Sequence, residues 1–143
     1  MKIRKAKEAE LDRLIEIWLE SSFQAHDFID QEYWEENREV MRNLYLPLSE
    51  NFVVIEGTIK GFLSMMGKEI AALFILPSEQ GVGFGKALMQ YAQEKNNEIY
   101  LNVYAQNERA KAFYQSQDFQ IVEKSLDAAT NEIEYRMHWE SGR

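Results

Sequence analysis

The sequence has no cysteine and only two prolines among its 143 residues. The lack of cysteine excludes disulfide bonds, thiolate metal sites and a cysteine nucleophile. The longest apolar run, residues 70–76, is far shorter than the ~18 residues that a membrane-spanning helix needs. The charged amino-terminal stretch is also unlike a signal peptide. We therefore expect no membrane association and a cytoplasmic location.

Basic residues are scarce as well. The chain has 16 Lys and Arg against 24 Asp and Glu, which gives a formal net charge of −8. Binding to a nucleic-acid backbone needs a basic surface, so we expect no nucleic-acid partner. A solvated edge strand is the interpretation that we favour for the only basic cluster, Lys2, Arg4, Lys5 and Lys7. The two histidines lie far apart in the sequence, and we predict no metal site.

The remaining composition is that of a packed globular protein, with 45% apolar and 13% aromatic residues. A chain of this length can bury roughly 68–70% of the surface that its unfolded form exposes, which is enough for one core without disulfides. We expect residues 1–143 to form a single domain, present as a monomer or a homodimer.

Hydrophobic periodicity predicts helices and strands in a definite order. The predicted helices are residues 8–22, 31–45, 83–94 and 107–117, with Pro47 marking the end of the second. The predicted strands are residues 52–55, 58–65, 70–76, 99–103, 119–126 and 133–139. The third strand is apolar enough to be buried on both faces. This order favours an α/β (α+β) fold with a mixed, mostly antiparallel sheet, central parallel strands and about four flanking helices.

A glycine-rich loop, residues 80–86, lies between the third strand and the third helix and reads Gln-Gly-Val-Gly-Phe-Gly-Lys. Its glycines let the backbone approach a ligand, and N–H groups at a helix start bind anions, so a phosphate or pyrophosphate is the expected guest. A plain tight turn is the alternative. A nucleoside-triphosphate loop is disfavoured, because Gln80 and Ala87 replace the required glycine and hydroxyl residue. The dinucleotide fingerprint lacks its third glycine.

The loop does match a Q-x-x-G-x-G pattern, and residues 107–119 read Asn-Glu-Arg-Ala-Lys-Ala-Phe-Tyr-Gln-Ser-Gln-Asp-Phe. These segments resemble the coenzyme A loop and the N-x-x-A-x-x-F-Y-x-x-x-G-F signature of the GNAT superfamily of N-acetyltransferases. The segment His26-Asp27-Phe28-Ile29 is similar to one in small bacterial members. Asp118 departs from the signature, which has glycine at this position, where a chain leaving a helix often needs the left-handed conformation.

The resemblance implies a GNAT-like sheet in which the strand before the loop and the strand after the next helix splay apart. The pantetheine arm of acetyl-CoA would lie between them, and the glycine-rich loop would hold the pyrophosphate. The implied acetyl-CoA-binding residues are Phe74, Ile75, Gln80, Gly81, Val82, Gly83, Phe84, Gly85, Lys86, Asn107 and Tyr114.

Tyr114 matches the general acid that protonates the leaving thiolate in the family; a half-buried structural tyrosine is the alternative. Because the chain has no cysteine, we expect direct attack by the amine in a ternary complex rather than an acetyl-enzyme. Candidate general bases are Glu69 and His26, whose structural alternatives are a polar strand end and a loop or capping residue. By chain order, Tyr33 and Trp34 help to line the acceptor site.

The leading functional hypothesis is transfer of an acetyl group from acetyl-CoA to a primary amine, which can be a small molecule, a protein lysine or an N-terminus. The alternatives are a catalytically inactive, coenzyme A-binding sensor or accessory module, and a purely structural domain. Tyr114 favours the enzyme, since a binding module needs no proton donor. The surplus of acidic residues would favour the approach of a cationic amine.

Overall fold

The computed structural model describes residues 1–142. Seven strands form one sheet in the order β1-β2-β3-β4-β5-β7-β6. The strands are β1 (Lys2–Lys5), β2 (Glu50–Glu56), β3 (Thr58–Met66), β4 (Glu69–Ile75), β5 (Glu98–Tyr104), β6 (Gln120–Asp127) and β7 (Glu132–Glu140). Only β4 and β5 pair in parallel, and the other neighbours are antiparallel. The predicted mixed sheet is thereby confirmed, with the basic cluster largely on the edge strand β1.

Helices cover both faces of the sheet. The longer ones are α1 (Leu11–Ala25), α2 (Gln31–Glu36), α5 (Phe84–Lys95) and α6 (Glu108–Ser116). On one face, which we call the α1 face, Leu14 and Ile17 of α1 pack in a cluster with Phe62 of β3. On the opposite α5 face, Leu88 and Met89 pack in a second cluster around β5. Each such buried side chain stabilises the fold by roughly 1.5–3 kcal/mol relative to exposure.

The predicted helix over residues 31–45 is not continuous. After α2 the chain forms two three-residue helical turns, α3 (Arg38–Val40) and α4 (Leu46–Leu48), joined by a π-helical turn, Met41–Tyr45. The backbone N–H of Leu46 bonds to the carbonyl of Met41, and both side chains are buried. This wider turn brings two residues five apart onto one face, which an α-helix cannot do. Pro47 lies inside the last turn, where its missing N–H is tolerated.

The prediction that β4 is buried on both faces is wrong. Ile70 and Ala72 are buried, but Ala71 is exposed and Leu73–Ile75 are only partly covered. The reason is that β4 loses its neighbour on one side, as described below. At the end of α6, Asp118 has φ = 72°, so the residue that replaces glycine adopts the left-handed conformation. No helix within residues 1–142 is long and apolar enough to cross a membrane.

Candidate active site

A cleft opens where β4 and β5 separate. The two strands pair only at Glu69 with Tyr100 and at Ile70 with Leu101, and then diverge. The gap is part of a cavity of about 730 Å³, which is lined by β4, β5, the glycine-rich loop, α6 and the end of α1. Phe74 and Ile75 form part of one wall, as expected from the resemblance. The same splaying explains why β4 is only partly buried.

The glycine-rich loop forms one end of this cleft. Gly83 has φ = 100° and is the N-cap of α5, and no side chain of residues 1–142 caps the helix. The first intrahelical bond runs from the N–H of Ala87 to the carbonyl of Gly83. The preceding N–H groups, of Phe84, Gly85 and Lys86, therefore have no intrahelical acceptor and form an anion-binding helix start.

The side chains of the loop differ in their placement. Gln80 lines the cleft, and its Nε2 donates to the carbonyl of Ile75 over 3.2 Å. Gly81 and Lys86 also line the cleft, and Lys86 is exposed at its rim. Val82 lies outside the cleft wall with its side chain 65% exposed, so only its backbone is placed to contribute.

Tyr114 lies on α6 and lines the cleft. Its ring packs against Phe113 and Phe119, with centroid separations of 5.6 and 6.0 Å. Burial raises the pKa of the Tyr114 hydroxyl to about 12, so this group is protonated at neutral pH. A protonated phenol beside an apolar cleft is able to act as a proton donor.

Asn107 connects the start of α6 to the end of α1. Its Oδ1 accepts a hydrogen bond from the backbone N–H of Ala110, which caps α6. Its Nδ2 lies 3.3 Å from Nε2 of His26, the C-cap of α1. Because the capping bond fixes Oδ1, the amide nitrogen is the atom that faces His26. Asn107 is thus a donor to Nε2.

His26 is buried in the cleft wall and uncharged at neutral pH. Burial lowers its pKa to about 4. Its ring stacks on Trp34 at 5.1 Å and meets Tyr104 edge-on at 5.2 Å. Since Nε2 accepts from Asn107, the ring proton is on Nδ1, and within residues 1–142 this atom has no hydrogen-bond partner.

Glu69 lies apart from Tyr114, Asn107 and His26. Both of its carboxylate oxygens accept hydrogen bonds from the guanidinium of Arg136 on β7. Arg136 also donates to Oδ1 of Asn102 over 3.2 Å and stacks on the ring of Tyr100. The wall of the cleft begins at Ile70 and does not include Glu69. The structure therefore brings Tyr114 and His26 to one cleft, and leaves Glu69 in an ion pair beside it.

Glu134 of β7 is a cleft residue that the sequence does not single out. Alternation along residues 132–140 predicts that Glu134 and Arg136 share a face of their strand. Only the strand order shows that β7 lies next to β5. This neighbour brings the face with Glu134 to the cleft. Within residues 1–142, no group of three or more His, Asp or Glu residues is placed to hold a metal ion.

Comparison with known proteins agrees with this arrangement. Residues 48–121 match the family described as "Acetyltransferase (GNAT) domain". The chain is 40% identical over 139 residues to the peptidyl-lysine N-acetyltransferase YiaC of Escherichia coli, covering 96% of this chain and 95% of YiaC. It is 33% identical to the peptidyl-lysine N-acetyltransferase YjaB of Escherichia coli, over 86% of this chain and 84% of YjaB.

The fold agrees with solved structures. The apo form of Escherichia coli YjaB superimposes with a TM-score of 0.86 at 30% identity over 96% of both chains. The PaiA N-acetyltransferase of Thermoplasma acidophilum, solved in complex with coenzyme A, gives a TM-score of 0.79 over 97% of this chain and 98% of PaiA. At 22% identity, PaiA supports the fold alone. The splayed cleft, the loop and the sequence matches together establish that the chain belongs to the GNAT superfamily of acetyl-CoA-dependent N-acetyltransferases.

Proposed function

We propose that this enzyme transfers the acetyl group of acetyl-CoA to the side-chain amine of a lysine in a protein or peptide. The observation that carries the proposal is the position of Tyr114 in the wall of the splayed cleft. Burial raises the pKa of its hydroxyl to about 12, so that the group has a proton to donate. Peptidyl lysine is favoured over a small molecule or an N-terminus because YiaC and YjaB both carry that name. We also propose a cytoplasmic location, where acetyl-CoA and protein lysines occur together.

The residues of the cleft suit acetyl-CoA, which supplies a thioester whose carbonyl carbon receives the amine. The free N–H groups of Phe84, Gly85 and Lys86 would bind the pyrophosphate with the helix start. The loop would approach the pyrophosphate closely at Gly81, Gly83 and the backbone of Val82, and Gln80 would lie beside the loop. Phe74 and Ile75 would line the pantetheine arm on the β4 side, and Asn107 would border it on the other.

Tyr114 is the proposed general acid. Its hydroxyl holds its proton at neutral pH, because burial raises the pKa of the group to about 12. The same desolvation would raise the proton affinity of a thiolate that forms in the cleft. The departing sulfur would take that proton from Tyr114 Oη. General acids of this kind typically contribute 10²–10⁴-fold to a rate. The alternative of a binding module gives no role to a proton donor at this position.

The attacking amine must first lose a proton. A lysine side chain with a pKa of ~10.4 is almost wholly protonated at pH 7, and deprotonating it costs roughly 4–5 kcal/mol. Of the two candidate bases, His26 is uncharged and lies in the cleft, whereas Glu69 is neutralised by Arg136. We therefore retain His26 as the proposed group that receives the proton, after the Asn107 bond opens or through a water molecule. Because its pKa is about 4, it would pass the proton on to solvent and not hold it.

The test is the Tyr114→Phe variant, assayed for thiol release with acetyl-CoA and lysine peptides, and for acetyl-CoA binding by calorimetry. We expect acetyl-CoA affinity to stay within about threefold and kcat to fall at least about tenfold. Tyr91→Phe is the matched control. Tyr91 lies on α5, packs on Phe52 and is outside the cleft wall, so this variant should keep full turnover.

Two results would contradict the proposal. Unchanged turnover in Tyr114→Phe would remove Tyr114 from the mechanism. Acetyl-CoA binding by the wild-type protein without thiol release on any amine would instead favour the coenzyme A-binding module.

A further inference from the structure

Glu134 lines the cleft from β7, which lies on the other side of β5 from β4 and the glycine-rich loop. Its strand, β7, lies between β5 and β6, and Glu134 is paired with Tyr104 of β5 and Ser125 of β6. Leu101, Val103 and Met137 belong to the core on the α5 face. By strand alternation, Glu134 and Tyr104 therefore lie on the α1 face, next to the end of α1.

No cation within residues 1–142 forms an ion pair with Glu134. Arg136, two positions along on the same face, is held by Glu69, by Oδ1 of Asn102 and by stacking on Tyr100. The charged group that acts most strongly on Glu134 is another acid, Asp127. Partial burial and Asp127 together raise the pKa of the Glu134 carboxyl.

Asp127 itself is well supported. Its Oδ2 accepts hydrogen bonds from the Tyr104 hydroxyl over 2.9 Å and from Thr130 Oγ1 over 3.0 Å. Burial is the main cause that raises the pKa of the Tyr33 hydroxyl, and the negative charges of Asp127 and Glu134 raise it further. Tyr33 is on α2, so this helix borders the same acidic region. Glu134 thus lines the cleft with Asp127 nearby but outside the cleft wall, and among the described residues only Asp127 has hydrogen-bond donors given for its carboxylate.

The walls next to Glu134 are aromatic. His26 and Tyr104 line the cleft. Their rings contact each other and the ring of Phe28, which is outside the cleft wall, edge-on with centroid separations of 5.2 to 5.9 Å. A lysine side chain has an apolar stem that packs on such rings and a charged end that needs an anionic partner. An aromatic wall with an unpaired carboxylate next to it complements this shape and charge.

We propose that Glu134 binds the ammonium group of the acceptor lysine and so selects a cationic side chain. The inference rests on the proposed function and adds to it the residue that recognises the acceptor. Asp127 strengthens the negative potential and holds Tyr104 in the aromatic wall. Arg136 supports the same selection, because its pairing with Glu69 keeps a competing cation away from Glu134.

The experiment measures acceptor binding without turnover. The complex of the enzyme with coenzyme A is titrated with Nα-acetyl-lysine methylamide, and the dissociation constant is read from NMR chemical-shift changes. In Glu134→Gln, which removes the charge and keeps the shape, we expect the dissociation constant to rise at least about tenfold. The neutral ligand Nα-acetyl-norleucine methylamide should bind equally to wild type and variant.

Glu132→Gln is the matched control, because it removes the same charge from the same strand. Glu132 is bonded to Gln106 Nε2 over 2.7 Å and is not part of the cleft wall, so its replacement should change the dissociation constant less than about twofold. Coenzyme A affinity should be unchanged in both variants, and neither variant should have a lower melting temperature than wild type.

Equal effects of the two variants, or a wild-type complex that does not bind the lysine ligand at tens of millimolar, would overturn the inference. Binding that depends on Glu134 in an enzyme that releases no thiol would instead support the inference and refute the proposed function. The two failures are therefore distinguishable.

Discussion

At the scale of single residues, the cleft depends on groups whose ionisation is set by burial. His26 is only 8% exposed and has a pKa of about 4, against an ordinary value of 6.5. Its charged form would be surrounded by Trp34 and Tyr104 without an anion in contact. The lowered pKa means that the folded protein resists protonation at a pH at which the unfolded chain binds a proton.

This difference predicts an acid-sensitive contribution to stability. The stabilisation is present above pH 6.5, where His26 is neutral in both states, and is lost as the pH falls towards 4. The span from 6.5 to about 4 corresponds to about 3 kcal/mol. We expect wild type to lose about that much more free energy of unfolding than His26→Gln between pH 7 and pH 4.

Urea unfolding of both proteins at several pH values provides the measurement. Taking the difference between them removes the effect of carboxylates such as Glu10, whose pKa is lowered to about 2 mainly by its hydrogen bond to Arg4. Parallel pH profiles for wild type and variant would show that His26 is not the group responsible.

At the scale of elements, the loop and α5 form a unit whose shape is set by the backbone. Gly83 has φ = 100°, a conformation that residues with a side chain adopt only with strain. Gly85 is already within α5, and a methyl group there would be at ordinary contact distance, 3.7 Å, from Ile75 and Phe113. The two glycines of the Q-x-x-G-x-G pattern are therefore needed to different degrees.

Gly83→Ala should weaken acetyl-CoA binding by about tenfold or more, because it displaces the first N–H groups of α5 from the pyrophosphate site. Gly85→Ala should leave affinity within about threefold, since its φ is ordinary and its Cβ has room. Calorimetric titration of both variants measures the contrast. If both substitutions weaken binding equally, the requirement is for space near the ligand and not for the conformation of Gly83.

At the scale of the whole molecule, the net charge of −8 is at odds with a strongly anionic cofactor and in keeping with a cationic acceptor. Backbone N–H groups at the start of α5 would bind the pyrophosphate without needing many basic side chains. The strands β6 and β7 carry five of the 24 acids: Glu123, Asp127, Glu132, Glu134 and Glu140. Asp127 and Glu132 are paired across the two strands next to Glu134, at the proposed acceptor end of the cleft, whereas Glu140 lies at the other end of β7.

Added salt should therefore affect the two substrates differently. Raising NaCl from about 20 to 200 mM should lower kcat/KM for a lysine peptide by about threefold or more, since salt screens the attraction of the acidic surface for a cation. The KM for acetyl-CoA should stay constant or fall, because the same salt screens repulsion of an anion. Steady-state kinetics at fixed pH measure both values. A kcat/KM that does not depend on salt would limit the charge to a role in solubility.

The sequence by itself determined the order of helices and strands, the glycine-rich loop, and the left-handed conformation expected at Asp118. These features depend on neighbours a few residues apart, through periodicity, capping and the steric limits of single residues. The placement of Tyr114, Gln80 and Asn107 along one cleft is expected from the resemblance of two motifs to the GNAT superfamily. The broken helix after α2 was beyond such reasoning, because the burial of Met41 and Leu46 against distant strands decides it.

Only the tertiary structure decided which carboxylate faces the cleft. Glu69 and Glu134 look alike in the sequence, each at or near a strand end. From the sequence we name Glu69 as a candidate base and do not consider Glu134. The strand order β4-β5-β7 lets Arg136 of β7 reach across β5 to Glu69 of β4, and places Glu134 in the wall of the cleft. Strand pairing between residues that lie dozens of positions apart is set by the packing of the whole sheet, so no local pattern in the sequence encodes it.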